Sequence, residues 1–271
     1  MKNYVAKLNP QRNLSGDKEW GKFQMNFMVG CPNNCKYCFP KAWSCRVGRK
    51  TADTWKIEIP RLNVLDCKFK KMDGVIMFPE SHDISISNMD NAFELLRKML
   101  VVGNSVFFIT KAHYKVIEKL CNEFTEYKNN LLVCITIGST NSQTLKFWEP
   151  GATSFEERFE ALKLAYNSGY NTMVSAEPML DKNIDELIET LSPYVTNDIW
   201  IGKINNLRST LSINGCKDFE TQQKADELEQ WQNNPNFILP LYEKYKDNPK
   251  IQWKETYCKE ILGVDYKKRR C

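Results

Sequence analysis

Histidines and long hydrophobic runs are almost absent from this sequence. Its 271 residues include only two histidines, His82 and His113, and neither is spaced from the cysteines as a structural zinc site requires. No apolar stretch reaches the roughly 20 residues that a membrane-spanning helix needs, so we expect no membrane association. Residues 1–17 are polar and of mixed charge, which is not the pattern of a secretion signal.

Internal repeats, low-complexity segments and long Gly/Pro/Ser-rich linkers are also missing, which excludes repeat architectures and favours one large unit with its own core. Ten cysteines without a secretion signal indicate the reducing cytosol, and we expect a cytoplasmic protein with free or metal-bound thiols. The net charge of +5 permits an anionic partner such as nucleic acid without requiring one.

Short apolar runs alternate with segments of helical periodicity. The runs are continuous and rich in Val, Ile, Phe and Met, which is typical of strands buried on both faces of a parallel sheet. The predicted strands are 23–29, 74–78, 105–109, 131–137, 172–175 and 198–201, and the predicted helices between them are 90–101, 114–127, 155–168 and 184–191. Ser154 and Glu157 are expected to form a capping box at the third helix, which Gly169 ends.

This alternation predicts an α/β fold with right-handed crossovers. Six strand–helix units are too few for a closed eight-stranded barrel, so we expect a partial, open (β/α)6 TIM-like barrel over residues 1–205. Residues 206–271 are expected to form a C-terminal helical extension packed on the barrel. Within it we predict a loop over 205–214, helices over 219–231, 235–245 and 255–262, and a short strand over 251–253.

Three cysteines lie close together near the start of the sequence. Cys31, Cys35 and Cys38 have the spacing C-x3-C-x2-C, and Tyr37 directly precedes the third. Iron–sulfur clusters are held by cysteine thiolates at short spacings of this kind. The run supplies three ligands and no obvious fourth, so a four-iron cluster bound here would keep one iron open for chemistry.

Cysteines at such spacings also occur in disulfide frameworks and in zinc sites. A disulfide framework is typical of small secreted domains, and a zinc site normally combines two ligand pairs. A fourth ligand such as Cys45 would close the metal site, and the chain would then be a non-catalytic iron–sulfur or zinc protein that binds nucleic acid or a protein partner. A second cluster on Cys216, Cys258 and Cys271 would need widely scattered ligands. Cys134 is expected in the core.

Polar side chains follow the predicted strands at their carboxyl ends, which meet at one face of a parallel α/β fold. Such a gathering predicts a site at this face. The candidate residues are Glu80, Ser81 and Asp83 after the second strand, Lys111 after the third, Thr136 and Ser139 around the end of the fourth, and Glu177 after the fifth.

The cysteine motif with its aromatic Tyr37 resembles the signature of the radical S-adenosylmethionine (SAM) superfamily. The resemblance implies a [4Fe-4S] cluster on Cys31, Cys35 and Cys38, SAM as second cofactor, and the superfamily's partial barrel. In such enzymes the reduced cluster cleaves SAM to methionine and a 5′-deoxyadenosyl radical, which abstracts hydrogen from a substrate. A one-electron donor, flavodoxin or ferredoxin, is also implied.

The functional groups of SAM give the candidate residues their expected roles. Its amino and carboxylate groups would chelate the open iron. The amino group also needs hydrogen-bond acceptors from the protein, and the carboxylate needs a positively charged side chain. The expected partners are Glu80, Ser81 or Asp83 for the amino group, Lys111 with Thr136 or Ser139 for the carboxylate, and Glu177 for the ribose hydroxyls, while Tyr37 packs over the cluster.

A closer resemblance, to the spore photoproduct lyase-like branch, runs from residue 23 to residue 180. It is carried by Phe-Ile-Thr-Lys at 108–111, Ile-Thr-Ile-Gly-Ser at 135–139 and the stretch 148–158 that begins Trp-Glu-Pro-Gly. In that family the lysine after the third strand contacts the cofactor carboxylate, which matches Lys111. Residues 78–83 lack the hydrogen-donor cysteine of the authentic lyase, so we do not expect its thymine-dimer reaction. A nucleic-acid base or nucleotide is the first expected substrate; a peptide or small metabolite is the alternative.

Overall fold

Seven parallel strands form the main sheet of the protein, whose computed structural model describes residues 20–264. In chain order the strands are β1 (Phe23–Gln24), β2 (Met28–Val29), β3 (Ile59–Pro60), β4 (Ile76–Phe78), β5 (Val106–Thr110), β6 (Leu131–Thr136), β7 (Asn171–Ala176), β8 (Ile199–Ile201) and β9 (Ile251–Trp253). The main sheet has the order β1-β4-β5-β6-β7-β8-β9, and β2 pairs with β3 in a separate antiparallel ribbon. The sheet is thus an open, partial barrel, and the predicted α/β fold is confirmed.

Helices connect the strands and continue beyond them. They are α1 (Phe39–Arg46), α2 (Leu62–Leu65), α3 (Met89–Val101), α4 (Tyr114–Glu123), α5 (Ser142–Trp148), α6 (Phe155–Asn167), α7 (Ile184–Leu191), α8 (Leu207–Ile213), α9 (Phe219–Gln232), α10 (Pro235–Tyr245) and α11 (Glu255–Tyr257), the last continuing into a π-helical turn over Cys258–Leu262. None of the helices between residues 20 and 264 is long and apolar enough to cross a bilayer.

Two sets of side chains fill the two sides of the sheet because successive residues of a strand point in opposite directions. Phe108 and Val133 face the helices and join the large outer core. The inner face is filled by Met77, Phe107, Cys134, Met173 and Trp200, with Trp20 packed against them. Cys134 is therefore a core residue, as predicted. Because apolar side chains fill the inner face of the sheet, we expect a site at the carboxyl ends of the strands.

The strand predicted over 23–29 is wrong in one respect. The run contains two strands of two residues each, and they belong to different sheets: Phe23–Gln24 pairs with β4, whereas Met28–Val29 pairs with β3. A continuous apolar run carries no alternation to indicate where the chain leaves one sheet. This change of sheet matters because it leads the chain from β1 to the loop that contains Cys31, Cys35 and Cys38, called the cysteine loop below.

Two helical predictions also need correction. Residues 205–214 were expected to form a loop but contain α8, which starts after Asn206 in the left-handed conformation. The helix expected over 114–127 ends at Glu123 and is followed by a separate 3-10 segment. Ser154 caps α6 through the Glu157 amide, but the carboxylate of Glu157 accepts from the Tyr114 amide at 3.0 Å, so it supports the start of α4.

The C-terminal residues contribute one strand to the main sheet. The predicted strand 251–253 is confirmed as β9, which pairs in parallel with β8 through Ile199 and Ile251. The helices α9 and α10 were also predicted within one residue of their observed ends. The division of the chain at residue 205 stays a prediction, while β9 brings Lys254 to the carboxyl end of the sheet.

Candidate cofactor site at the carboxyl ends of the strands

The three cysteines lie on the loop between β2 and α1. Cys31 and Cys35 are buried and Cys38 is half-buried. Cys38 is the N-cap of α1, and its sulfur accepts from the Lys41 amide at 3.4 Å. Gly30 enters the loop with φ +105°, and a Cβ there would lie 2.3 Å from the Ile57 carbonyl oxygen. Glycine is required at this position because the chain turns and approaches another backbone closely.

The thiols are close enough to influence one another's protonation. Burial raises the pKa of all three, that of Cys38 to about 11, and the charge of Cys38 raises the pKa of both other thiols further. Between residues 20 and 264 no three His, Cys, Asp or Glu side chains are grouped so that they could hold a metal ion. Each cysteine of a cubane cluster binds a different iron, so its ligands need not meet at one point. The donor set, three thiols of one short loop, fits a cluster by its chemistry.

The carboxylate of Asp83 links the cysteine loop to the end of β5 by hydrogen bonds. One carboxylate oxygen accepts from the Asn33 amide group at 2.5 Å and from the Lys111 backbone amide at 3.0 Å. The other accepts from the Thr110 hydroxyl at 2.5 Å and from the Ile84 amide at 2.8 Å. Asp83 thus lies beside the predicted site, with both oxygens bonded to protein donors. Its role toward a cofactor stays a prediction.

Glu80 and Ser81 lie at the wall of a cleft of about 640 Å³. Asn26 holds them: its side-chain oxygen accepts from the Glu80 and Ser81 amides at 2.8 Å, and its side-chain nitrogen donates to the Glu80 carboxylate at 3.1 Å. A residue of the chain segment after β1 therefore fixes two predicted cofactor ligands after β4. Sequence reasoning missed Asn26 because the predicted strand 23–29 placed it inside a strand.

His82 is a structural residue of the same turn. Its Nε2 accepts from the Phe27 and Met28 amides at 3.1 and 3.2 Å, so its Nδ1 carries the proton and donates to the Asp83 carbonyl at 3.0 Å. Burial lowers the pKa of His82 to about 4. The imidazole is therefore neutral in the folded protein at neutral pH, and it joins β2 to the turn that carries Glu80.

We expect His82 to make the fold acid-sensitive. Its pKa is lower in the folded than in the unfolded chain, so the unfolded chain takes up the proton first as the pH falls below about 6.5, and stability is lost until about pH 4. Between pH 7.5 and pH 5 this linkage removes about 2 kcal/mol from the free energy of unfolding. Chemical denaturation at both pH values measures it. In His82→Gln, whose amide oxygen can accept the same two bonds, we expect a smaller pH dependence; an equal one would contradict this assignment.

Lys111 belongs to a buried network that the sequence did not reveal. Its ammonium lies 3.5 Å from the carboxylate of Glu149, which also receives the hydroxyl of Tyr37 and the guanidinium of Arg158 at 2.5 Å. Burial acts to raise the pKa of Glu149, but Arg158, Lys111 and Tyr37 outweigh it and hold this pKa below its ordinary value. Lys111 therefore lies beside Tyr37 of the cysteine loop, 6.0 Å from the centre of its ring, and Glu149 joins them. The roles of Lys111 and Tyr37 toward a cofactor stay predictions.

Thr136 and Ser139 lie at the end of β6 and just beyond it. Both are buried, and the Thr136 carbonyl accepts from Arg158 Nη1 at 3.0 Å. The hydroxyl of Ser139 donates to Asp181 and accepts from the Asn141 amide at 2.8 Å. Ser139 thus joins two loops at this face, and its contact with a cofactor stays a prediction.

Glu177 is paired with a lysine from the C-terminal part of the chain. Lys254 Nζ lies 3.3 Å from the Glu177 carboxylate and 3.9 Å from the centre of the Trp20 ring. The Lys254 side chain is 2% exposed. Sequence reasoning missed Lys254, although it directly follows the predicted strand 251–253 and so obeys the rule that selected the other candidates.

The remaining cysteines do not share this loop. Cys45 lies in α1, two turns beyond Cys38 and so roughly 10 Å further along the helix axis. Cys258 is buried and donates to the Trp253 carbonyl at 3.5 Å, and Cys216 is half-buried. Cys271 lies outside the described residues. A second cluster stays an untested prediction.

Known proteins similar to this chain in sequence are distant from it. No family model matches the chain. One curated relative, the uncharacterised protein ORF301 of Acidianus two-tailed virus, is 22% identical in an alignment of 171 residues that covers 59% of this chain and 56% of that protein. The chain thus spans about half the length of the curated relative it matches.

Solved structures of spore photoproduct lyase are similar to the chain in fold. A double mutant of that lyase with bound AdoMet and dinucleoside spore photoproduct matches with a TM-score of 0.56 and 15% identity, over 90% of this chain and 80% of that one. A single mutant in which a tyrosine is replaced by phenylalanine matches over the same shares with a TM-score of 0.55 and 15% identity. The resemblance found in the sequence is therefore confirmed at the level of architecture: the chain has the fold of spore photoproduct lyase, a radical SAM enzyme.

Proposed function

We propose that the protein is a radical SAM enzyme. The observation that carries this proposal is the loop of three cysteines at the carboxyl ends of an open parallel barrel that shares the fold of spore photoproduct lyase. When bound, a [4Fe-4S] cluster and SAM would supply one-electron cleavage of the sulfonium and a carbon radical that takes hydrogen from a substrate. Cys31, Cys35 and Cys38 would hold the cluster, and the electron would come from an external donor such as flavodoxin or ferredoxin.

The chain's own residues would bind and orient SAM through opposite charges. Lys111 is 17% exposed. Burial acts to lower the pKa of its ammonium group, but the charges of Glu149 and Cys35 outweigh burial and raise this pKa above its ordinary value. Lys111 is therefore positively charged and would attract the cofactor carboxylate. Glu80, held by Asn26 at the cleft wall, would accept from the ammonium side. Glu177 is fixed by Lys254 and would accept from ribose hydroxyls. Charge-assisted bonds of this kind give both affinity and orientation.

The cleft beside Glu80 favours a nucleotide or a nucleic-acid base as substrate. Phe39 and Trp43 line it with 60% and 51% exposure, and Arg49 and Arg61 also lie in its wall. Six of the 13 exposed large apolar side chains in the described part of the chain lie between residues 39 and 62. Exposed aromatic rings stack on bases, and guanidinium groups bind phosphates. These features support a ligand that combines a flat ring with negative charge.

The experiment that tests the proposed activity is an assay for SAM cleavage. Protein reconstituted with iron and sulfide under anaerobic conditions is reduced with dithionite and given SAM, and 5′-deoxyadenosine and methionine are quantified. We expect equal amounts of the two products. A protein that carries a full cluster and forms neither product would favour the alternative, a non-catalytic iron–sulfur protein.

We expect Trp43 to contribute strongly to nucleic-acid binding. Base stacking on an aromatic side chain is worth about 1–3 kcal/mol, so Trp43→Ala should weaken binding of a single-stranded oligonucleotide by about 5- to 150-fold. Fluorescence anisotropy with a labelled oligonucleotide of mixed sequence measures the affinity. Phe219→Ala is the matched control, because Phe219 is 84% exposed on α9 and does not line the cleft. Equal affinity of Trp43→Ala and the unmodified chain would contradict the assignment of the cleft.

A further inference from the structure

A buried carboxylate lies directly behind the cysteine loop. Glu149 is 1% exposed, and its oxygens contact the Tyr37 hydroxyl, the Arg158 guanidinium and the Lys111 ammonium. Arg158 is itself fixed, since its Nε and Nη2 donate to the Thr153 carbonyl at 3.1 and 2.9 Å. Glu149 thus keeps a full negative charge in a low-dielectric environment, where its effect on neighbouring groups is strong.

The segment that carries Glu149 also holds the cysteine loop through its backbone. The Lys36 amide donates to the Trp148 carbonyl at 2.8 Å, and the Gly151 amide donates to the Asn33 carbonyl at 2.9 Å. A Cβ at Gly151 would lie 2.0 Å from the Pro32 carbonyl oxygen, so only glycine allows the two segments to approach this closely. The charge of Glu149 is therefore held at a fixed position relative to the three thiols.

Glu149 and Lys111 act on the cysteine loop with opposite sign. The Glu149 carboxylate contacts the Tyr37 hydroxyl, and Lys111 Nζ lies 6.0 Å from the centre of the Tyr37 ring. Tyr37 stands between Cys35 and Cys38 on the cysteine loop. Both side chains therefore lie within electrostatic reach of a thiol that would bind iron. Reduction of a cluster adds one negative charge, which a nearby anion opposes and a nearby cation favours.

We propose that Glu149 is a positioning residue that holds Tyr37 and Lys111 against the cysteine loop and whose buried charge lowers the reduction potential of the cluster. This inference rests on the proposed function, because it requires a cluster on the three cysteines. A lower potential makes the reduced cluster a stronger one-electron donor. Through the contacts of Glu149 with Tyr37 and Lys111, the segment 148–158 thereby affects the reduction potential of the cluster.

Redox titration of the reconstituted cluster tests the proposal without measuring activity. In Glu149→Gln we expect a more positive midpoint potential, equivalent to about a tenfold change in the ratio of reduced to oxidised cluster, or ~59 mV for one electron. In Lys111→Gln we expect a shift in the opposite direction. Glu149→Asp keeps the negative charge, so its midpoint potential should stay close to that of the unmodified protein. Glu160→Gln, an exposed position of the same helix as Arg158, is the matched control and should change nothing.

Unchanged potentials in Glu149→Gln, or shifts of the same sign in Glu149→Gln and Lys111→Gln, would overturn the proposal. If Glu149→Gln does not fold, the titration of Lys111→Gln decides, since an unchanged potential there overturns the proposal as well. An unmodified chain that binds no cluster would instead overturn the proposed function from which this inference starts.

Discussion

Replacement of any one of Cys31, Cys35 and Cys38 by alanine is expected to abolish cluster assembly and the formation of 5′-deoxyadenosine. Each thiolate would bind a different iron of the cubane, so two cysteines cannot hold the cluster. Iron content should fall from about four atoms per reconstituted chain to background. Iron and sulfide analysis of the three single variants, together with the SAM cleavage assay, measures this effect.

Cys45→Ala and Cys121→Ala are the controls for these variants. Both cysteines are half-buried, like Cys38, but neither lies on the cysteine loop, and we expect both variants to retain iron and activity. Loss of the metal in Cys45→Ala would contradict the three-ligand site. It would indicate a closed set of four cysteines and favour the non-catalytic alternative.

Arg158→Met is expected to destabilise the protein severely. Arg158 is completely buried and its guanidinium contacts Glu149, itself 1% exposed, at 2.5 Å. Removing one partner leaves a buried carboxylate with less compensation, which costs about 3–5 kcal/mol of folding free energy. Chemical denaturation of the cluster-free protein at pH 7.5 measures the loss. Arg158 also bonds the Thr136 and Thr153 carbonyls, which adds unsatisfied acceptors to the cost.

A surface pair provides the matched control for this measurement. Arg97 and Glu123 form an ion pair at 3.0 Å with side chains 44% and 37% exposed, and solvent-exposed pairs contribute about 0.2–1 kcal/mol. Arg97→Met should therefore lower stability far less than Arg158→Met. The double variant Glu149→Gln/Arg158→Met should recover part of the loss, because it removes the buried charge. Equal costs for the two arginines would contradict the account of the buried network.

Much of the fold was predictable because its signals are local. The helix over Ile184–Leu191 and the strand over Leu131–Thr136 match their predictions to within one residue, since their apolar periodicity and length leave little choice. Helix α8 was missed because it is short and its sequence is mostly polar. Its buried residues Leu207, Thr210 and Leu211 do have helical spacing, but three positions are a weak signal.

The candidate site was predictable in part for a related reason. The cysteine spacing and the polar residues after the strands are local features, whereas the partners that hold them lie far away in the sequence. Glu149 contacts Tyr37 across 112 positions, and Lys254, after β9, contacts Glu177, after β7, although β8 lies between these strands in the sheet. The role of Asp83 toward a cofactor stays a prediction, and its bonds to Asn33 and Thr110 have no signal in the sequence. Such pairings depend on tertiary packing, which no single-sequence pattern contains.

Electron paramagnetic resonance shows whether this chain binds SAM at an open iron of a three-cysteine cluster. The reconstituted, dithionite-reduced protein is measured with and without SAM, with the Cys31/Cys35/Cys38→Ala triple variant as control. We expect a reduced [4Fe-4S] signal in the unmodified chain that changes on addition of SAM and is absent from the triple variant. A cluster signal that is indifferent to SAM, or one that persists in the triple variant, would contradict this expectation.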